Sequence, residues 1–401
     1  MHLINYLTRV QFGFGSLTSL QSECGLLSIQ RPLIITDKGV RAAGLIDQVG
    51  TQLNDFSAEQ IFDQTPPNPN EATVRLAAQM YSDGDFDGLI AVGGGSAIDL
   101  AKGVAVCATH KGPLSQYALI EGGLNRITSV TAPVIAIPTT AGTGSEVGRA
   151  GVLILDDGRK VGIISPHVMP KVAICDPELT LGLPPSLTAA TGMDAIAHCM
   201  ETFMSPVFNP PADGIALDGL RRGWAHIERA TQDGSDREAR LNMMSASMQG
   251  AMAFQKGLGA VHSLSHSMGG VDPRLHHGTL NAIFMPLIVE FNAPAKTMQT
   301  EQKLMRMAQA MNLGAGDTVV EALNSMNERL GMPSGLREMG VSETQFDQIM
   351  TIISEKFARG PAHEFKWYRK PGARRIEKLL AADKKIDEKE LTKIYNESLN
   401  K

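Results

Sequence analysis

The sequence predicts an α/β domain on a mostly parallel sheet over residues 1–182, followed by an all-α domain over residues 183–401. Three observations carry this. Apolar strand signals alternate with amphipathic helix signals as far as Cys175, which implies a parallel sheet covered on both faces. From Pro184 onward the strand signals stop and long helical patterns take over. A chain of 401 residues is also too long for one ordinary core.

In chain order, 31–37 reads as a short buried strand and 39–53 as the helix after it. Residues 71–82 have helical spacing, with Ala72, Leu76 and Met80 recurring every fourth position. A second strand, 87–92, ends in Gly93-Gly94-Gly95, and a helix over 96–107 follows. A third strand, 133–137, runs into Pro138-Thr-Thr-Ala-Gly-Thr-Gly-Ser-Glu146. Further strands are read over 148–155 and 172–175. The domain boundary falls in 181–185, and helices are expected over 192–204, 212–230, 237–256 and 279–291. From Thr297 to the end the chain is charged and amphipathic at helical spacing.

Hydrophobic residues make up 43% and charged residues 20%, the balance of a globular protein. A net charge of −5 with scattered basic residues leaves no footprint for nucleic acid or an anionic membrane. The most apolar stretch, 130–137, is interrupted by Pro133 and bounded by Pro138, far short of the ~20 residues that span a bilayer. Residues 1–15 lack the basic leader and apolar core of a signal peptide. The four cysteines are widely spaced without a CxxC pair, which suits free thiols in a reducing cytoplasm. Small-molecule chemistry is the expectation.

Two glycine loops leave successive strand ends, where ligands bind in open α/β sheets. At Gly93-Gly94-Gly95-Ser96, glycines let the backbone approach a pyrophosphate, and the N–H groups of the following helix attract the anion. Asp99, one turn on, is placed to bond a ribose or to order the loop. The second loop, from Thr139 to Ser145, combines flexible backbone with hydroxyl donors suited to phosphate or nicotinamide. Neither is a GxGxxG fingerprint or a GxxxxGK[ST] loop. The domain is therefore Rossmann-like rather than the standard dinucleotide-binding unit. Asp37, at the end of the first strand, either accepts from an adenosine ribose or caps the next helix. As a ribose partner it would repel a 2′-phosphate, favouring NAD over NADP.

Asp194 and His198 are spaced i,i+4, so on a helix both side chains project from one face. His262 and His266 repeat the spacing, and His276-His277 follow. One carboxylate with imidazoles and no thiolate suits Fe(II), Zn(II) or a similar divalent ion. Cys199 points elsewhere round the helix and reads as packing.

These motifs together resemble the iron-containing (group III) alcohol dehydrogenase family over essentially the whole chain. The matching segments are Phe12-Gly-Phe-Gly15, Gly93-Gly-Gly-Ser-Ala-Ile-Asp-Leu-Ala-Lys102, Pro138 to Glu146, Asp194-Ala-Ile-Ala-His198, His262-Ser-Leu-Ser-His266 and His277-Gly-Thr-Leu-Asn281. The resemblance implies a metal held by Asp194, His198, His262 and His277, with His276 the less favoured alternative to His277. His266 is then left as a proton relay. It places Asp37, Gly94, Gly95, Ser96, Asp99, Thr139, Thr140 and Lys160 at cofactor positions. It also implies that the Phe12–Gly15 segment is a strand pairing across a homodimer.

The reading is thus a cytoplasmic, NAD-dependent, metal-containing enzyme that oxidises an alcohol or ω-hydroxy acid to the aldehyde. Three alternatives are a 4-hydroxybutyrate-type dehydrogenase, a dehydroquinate-synthase-like lyase and, more remotely, a metal hydrolase without nicotinamide. An ω-hydroxy acid calls for a cation, which Arg149 or Arg274 would supply.

Overall fold

Side chains of the main sheet alternate between two cores. Leu33, Ile35, Leu89, Ala91, Val134 and Ala136 enter one, while Ile34, Ile90, Val92, Ile135 and Ile137 enter the other. This is the period-two consequence of a pleated strand. The computed structural model describes residues 8–272, 274–342 and 344–345, in two units spanning 1–258 and 259–401.

The first unit opens with β1 (Arg9–Phe12), α1 (Leu20–Leu26), β2 (Pro32–Ile35), α2 (Lys38–Ala42), α3 (Leu45–Gly50) and β3 (Ile61–Phe62). Next come α4 (Glu71–Asp83), β4 (Gly88–Gly93), α5 (Gly95–Cys107) and β5 (Val134–Pro138). The hairpin of β6 (Ala150–Ile154) and β7 (Lys160–Ile164) precedes β8 (Val172–Cys175). Six strands form one parallel sheet in the order β1-β8-β5-β4-β2-β3. Three long helices follow, α6 (Pro185–Met204), α7 (Pro210–Gln232) and α8 (Arg237–Ala253), packed on one another. α8 also rests on the turn segments Ser145–Val147 and Pro177–Thr180, so these helices belong to the same unit as the sheet.

The second unit contains α9 (Ala260–Val271), α10 (His277–Asn292), α11 (Lys296–Thr300), α12 (Lys303–Ala310) and α13 (Val319–Arg329). α10 packs against α9 and α13. The helical expectation for 346–401, like the reading of residues 1–7, lies outside the described residues.

Three expectations are corrected. The helix expected over 39–53 is two helices, because Gly44 takes φ 74°, a left-handed conformation that no α-helix continues through. The strand expected over 148–155 is one arm of a hairpin whose other arm, β7, was not foreseen. Of the Phe12–Gly15 segment only Phe12 lies in a strand. That strand pairs with β8 of the same sheet, and the Gly13 N–H continues the ladder to the Cys175 carbonyl at 3.1 Å.

The middle of α5 tolerates no added volume. A Cβ at Gly103 would stand 2.8 Å from Leu153 Cδ1 and 2.9 Å from Val74 Cγ2. Gly103→Val is therefore expected to cost about 1–3 kcal/mol by overpacking. A lowered denaturation midpoint with an unchanged m-value would check it.

Candidate cofactor and metal site

The first glycine loop is shaped by contacts that exclude side chains. Gly93 takes φ 153°, and a Cβ there would lie 2.8 Å from the Ala97 Cβ. No side chain caps α5, so its first amide groups remain directed out of the helix end, as an anion requires. A Cβ on Gly95 would meet Thr143 Cγ2 at 2.6 Å, and one on Gly94 would meet Thr140 Oγ1 at 3.3 Å. The two glycine loops therefore touch backbone to side chain, and the Thr139 N–H donates to the Gly93 carbonyl at 3.0 Å.

Other expected cofactor residues have local partners. Asp37 caps α2, its Oδ1 accepting from the Val40 N–H at 2.9 Å. Its Oδ2 lies 3.7 Å from the Cβ position of Gly93, which puts the carboxylate at the first loop. The Ser96 hydroxyl donates to the Pro67 carbonyl. Lys160 heads β7 and donates to Asn68 Oδ1 at 2.9 Å.

Asp99 orders the loops. Its Oδ1 accepts from the Ser145 hydroxyl and its Oδ2 from the Val152 N–H at 3.0 Å. Beside it Lys102, wholly buried, sends Nζ among oxygens at the end of the second loop and in the segment after it. Ser145 O and Oγ lie at 2.7 Å, Gly148 O at 3.0 Å and Ala150 O at 2.7 Å. Burial brings the Lys102 pKa down to about 8 against the pull of Asp99 and Glu146. Burial likewise raises Asp99, and raises Glu146 to about 7, with Lys102 opposing both.

The candidate metal ligands lie in two groups. On α6, Asp194 and His198 are buried, with His198 Nε2 3.8 Å from Asp194 Oδ1. His198 Nδ1 lies 3.2 Å from the Gly142 carbonyl. A carbonyl only accepts, so Nδ1 carries the donated hydrogen and Nε2 is the ring nitrogen turned toward the carboxylate. A carboxylate oxygen and an imidazole nitrogen so placed are a donor pair that a divalent cation takes. In the second unit, His262, His266 and His277 gather ring to ring. His266 stacks on His277 at 4.7 Å, and His262 meets His277 at 5.2 Å and His266 at 5.9 Å, both edge-on. The Asn281 amide nitrogen stands 3.2 Å from Nε2 of both His262 and His277, so the two rings turn the same nitrogen to one point. Asp194, His198 and His262 are all buried, and each is of a donor type that divalent ions take. His276 caps the start of α10 and is exposed.

With this geometry in view, two family profiles match: "Iron-containing alcohol dehydrogenase" over residues 8–177, and "Fe-containing alcohol dehydrogenase family, C-terminal" over 188–382. The chain belongs to the iron-containing alcohol dehydrogenase family. It is an alcohol oxidoreductase, of a family whose members work with NAD and a divalent metal. It is 60% identical over 354 residues to a 4-hydroxybutyrate dehydrogenase of Cupriavidus necator, covering 87% of this chain and 92% of that one. It is 36% identical to a 1,3-propanediol dehydrogenase of Klebsiella pneumoniae, covering 84% and 88%. A crystal structure of a 1,3-propanediol oxidoreductase superposes with TM-score 0.80 at 31% identity, over 99% of this chain and all of that one. An alcohol dehydrogenase from Oenococcus oeni gives 0.84 at 28% identity, covering 95% and 100%.

Four features of this dehydrogenase escaped the sequence: the Lys102 clamp, buried Glu146, the Gly142 carbonyl and the amide bridge of Asn281. Lys102, Gly142, Glu146 and Asn281 all stand in matched segments, so their positions were visible but their partners were not. Arg274 is also reassigned as a candidate cation. Its guanidinium is held by Asp272 through contacts of 2.9 and 2.7 Å, and that carboxylate is held well below the usual range by Arg274. Arg149 is exposed, and its backbone is pinned between two carbonyls that Lys102 holds.

The buried charges predict a pH signature. Folded Glu146 keeps its proton up to about 7, whereas the unfolded chain releases it near 4.5. The native state binds more protons in that window, so stability falls as pH rises through it. Lys102 acts in the opposite sense: the folded chain releases its proton near 8 and the unfolded chain near 10.5, so stability recovers there with rising pH. Glu146→Gln should shrink the lower window to the part that Asp99 contributes and, by removing a charge that holds the Lys102 pKa up, extend the upper one toward lower pH, as read from the melting temperature across pH.

Proposed function

We propose that this enzyme interconverts an ω-hydroxy acid of the 4-hydroxybutyrate type and its aldehyde, with NAD as hydride acceptor and Fe(II) as the resident ion, Zn(II) being the alternative. The observation that carries the reading is the buried Asp194–His198 pair, whose imidazole is oriented by a carbonyl of the cofactor loop. The 60% identity to a 4-hydroxybutyrate dehydrogenase, against 36% to a propanediol dehydrogenase, supports the substrate class.

In this proposal Asp194, His198, His262 and His277 hold one ion, with His276 the alternative to His277. The bound ion and NAD supply Lewis acidity at the alcohol oxygen and a hydride acceptor at the nicotinamide. The α5 terminus at Gly94, Gly95 and Ser96 takes the pyrophosphate through backbone N–H groups. Asp37 accepts from the adenosine ribose through Oδ2 and repels a 2′-phosphate, which favours NAD over NADP. Thr139, Thr140 and Lys160 contact the nicotinamide half, and Asp99 serves by fixing the loop. His266, half-buried and stacked on His277, carries the hydroxyl proton outward. Arg149 meets the substrate carboxylate.

The functional division at 182/183 is supported by the profile limits at 177 and 188. A cytoplasmic homodimer completes the proposal. Four free cysteines suit the first, and the position of β1 at the edge of the sheet suits the second. No helix among the described residues is long and apolar enough to cross a membrane.

The test is a substrate panel with NAD and NADP on metal-stripped enzyme reloaded with Fe(II), Zn(II), Mn(II) or Ni(II). Net NADH formation should be fastest with 4-hydroxybutyrate and Fe(II); no net NADH from any alcohol would leave the lyase reading. Arg149→Ala removes one charge-assisted contact of about 1.5–3 kcal/mol, so the KM for 4-hydroxybutyrate should rise roughly ten- to a hundredfold. The KM for 1-butanol should stay as it is. Equal effects on both substrates would remove Arg149 from the site.

A further inference from the structure

Gly142 lies in the second glycine loop, where any larger residue would be obstructed. A Cβ there would stand 2.7 Å from the Thr191 Cβ and 2.8 Å from the Thr191 carbonyl oxygen. The loop backbone thus rests directly on α6, two turns before His198. Its carbonyl accepts the only hydrogen that a neutral His198 ring carries. Three residues on, the same loop is anchored at Ser145 by Lys102. Two residues back the Thr139-Thr140 pair ends.

We propose that Gly142 is a positioning residue that couples cofactor binding to metal binding. The proposal rests on the reading in which His198 ligates the ion and the loop meets NAD. Lys102 holds the far end of the loop, so a displacement at Thr139-Thr140 when the dinucleotide docks is not absorbed beyond Ser145. It is passed to the Gly142 carbonyl. A change in that bond alters the tilt and basicity of His198 Nε2, the nitrogen presented to the ion. Coupling of this kind is reciprocal: NAD must change the affinity for the ion by the same factor as the ion changes the affinity for NAD.

The test measures binding rather than turnover. The Zn(II) dissociation constant of the full chain is determined by chelator competition with and without NAD+, and the NAD+ constant is determined by calorimetry with and without Zn(II). The two ratios should agree and differ from one. In Gly142→Ala the added Cβ pushes the loop off Thr191 and carries the carbonyl away from His198, so Zn(II) affinity should fall by up to about 10–100-fold, the usual effect of losing such a partner, and the ratio should move toward one. Should that variant not fold, nitrogen NMR of the metal-free native protein decides. The His198 ring should carry its hydrogen on Nδ1, and its signals should move on adding NAD+. Zn(II) affinity indifferent to NAD+, an unchanged ratio in folded Gly142→Ala, or His198 signals unmoved by NAD+ would each overturn the coupling. Zn(II) binding that leaves the His198 signals untouched would instead overturn the ligand assignment beneath it.

Discussion

One buried ammonium group fixes the geometry of the two glycine loops. Lys102 projects from α5, the helix that begins at the first glycine loop, and its Nζ lies among four oxygens of the segment that follows the second. The two loops therefore share one rigid support rather than two independent turns. Removing a lysine from water is costly, and its lowered pKa reports that cost. Three backbone carbonyls, a hydroxyl and the nearby carboxylates of Asp99 and Glu146 offset it. Asp99 adds to the same network by gripping Ser145 and the amide of Val152.

From that support the structure reaches α6 through very small parts. α6 is buried along nearly its whole length, so Asp194 and His198 are presented from a helix that packing holds fixed. Gly142 is the point where loop backbone and helix meet without an intervening side chain. The second unit uses a different device for the same end. Asn281, one turn into α10, bonds both His262 on α9 and His277 on its own helix, and so sets two rings at once. In both groups the imidazoles are oriented by a hydrogen-bonding neighbour, a backbone carbonyl in one and a side-chain amide in the other.

How much of this was legible follows from what each signal measures. Strands buried on both faces read as unbroken apolar runs, so β2, β4, β5 and β8 were visible. The i,i+4 pairs were visible because helical spacing is itself geometric. The break at Gly44 was not, since apolar periodicity carries no information about φ. The β7 arm was missed although Asp157-Gly158 lies between two alternating runs, a recognised hairpin signal. Lys102 was illegible as a clamp because a lysine in a helix ordinarily reads as a solvated residue. Its partners lie 43 to 48 residues away. Arg274 was the reverse case: its partner Asp272 stands two residues before it in the sequence.

The central claim is that Asp194, His198, His262 and His277 hold one catalytic ion next to the loops that Lys102 sets. Anomalous diffraction at the iron edge, from crystals of the Fe(II)-loaded enzyme with NAD, tests it most directly. The account predicts a single anomalous peak bonded to one Asp194 oxygen and to the Nε2 atoms of the three histidines, with Gly142 still on His198 Nδ1. A peak ligated by His276, or one that excludes Asp194 or His198, would contradict it.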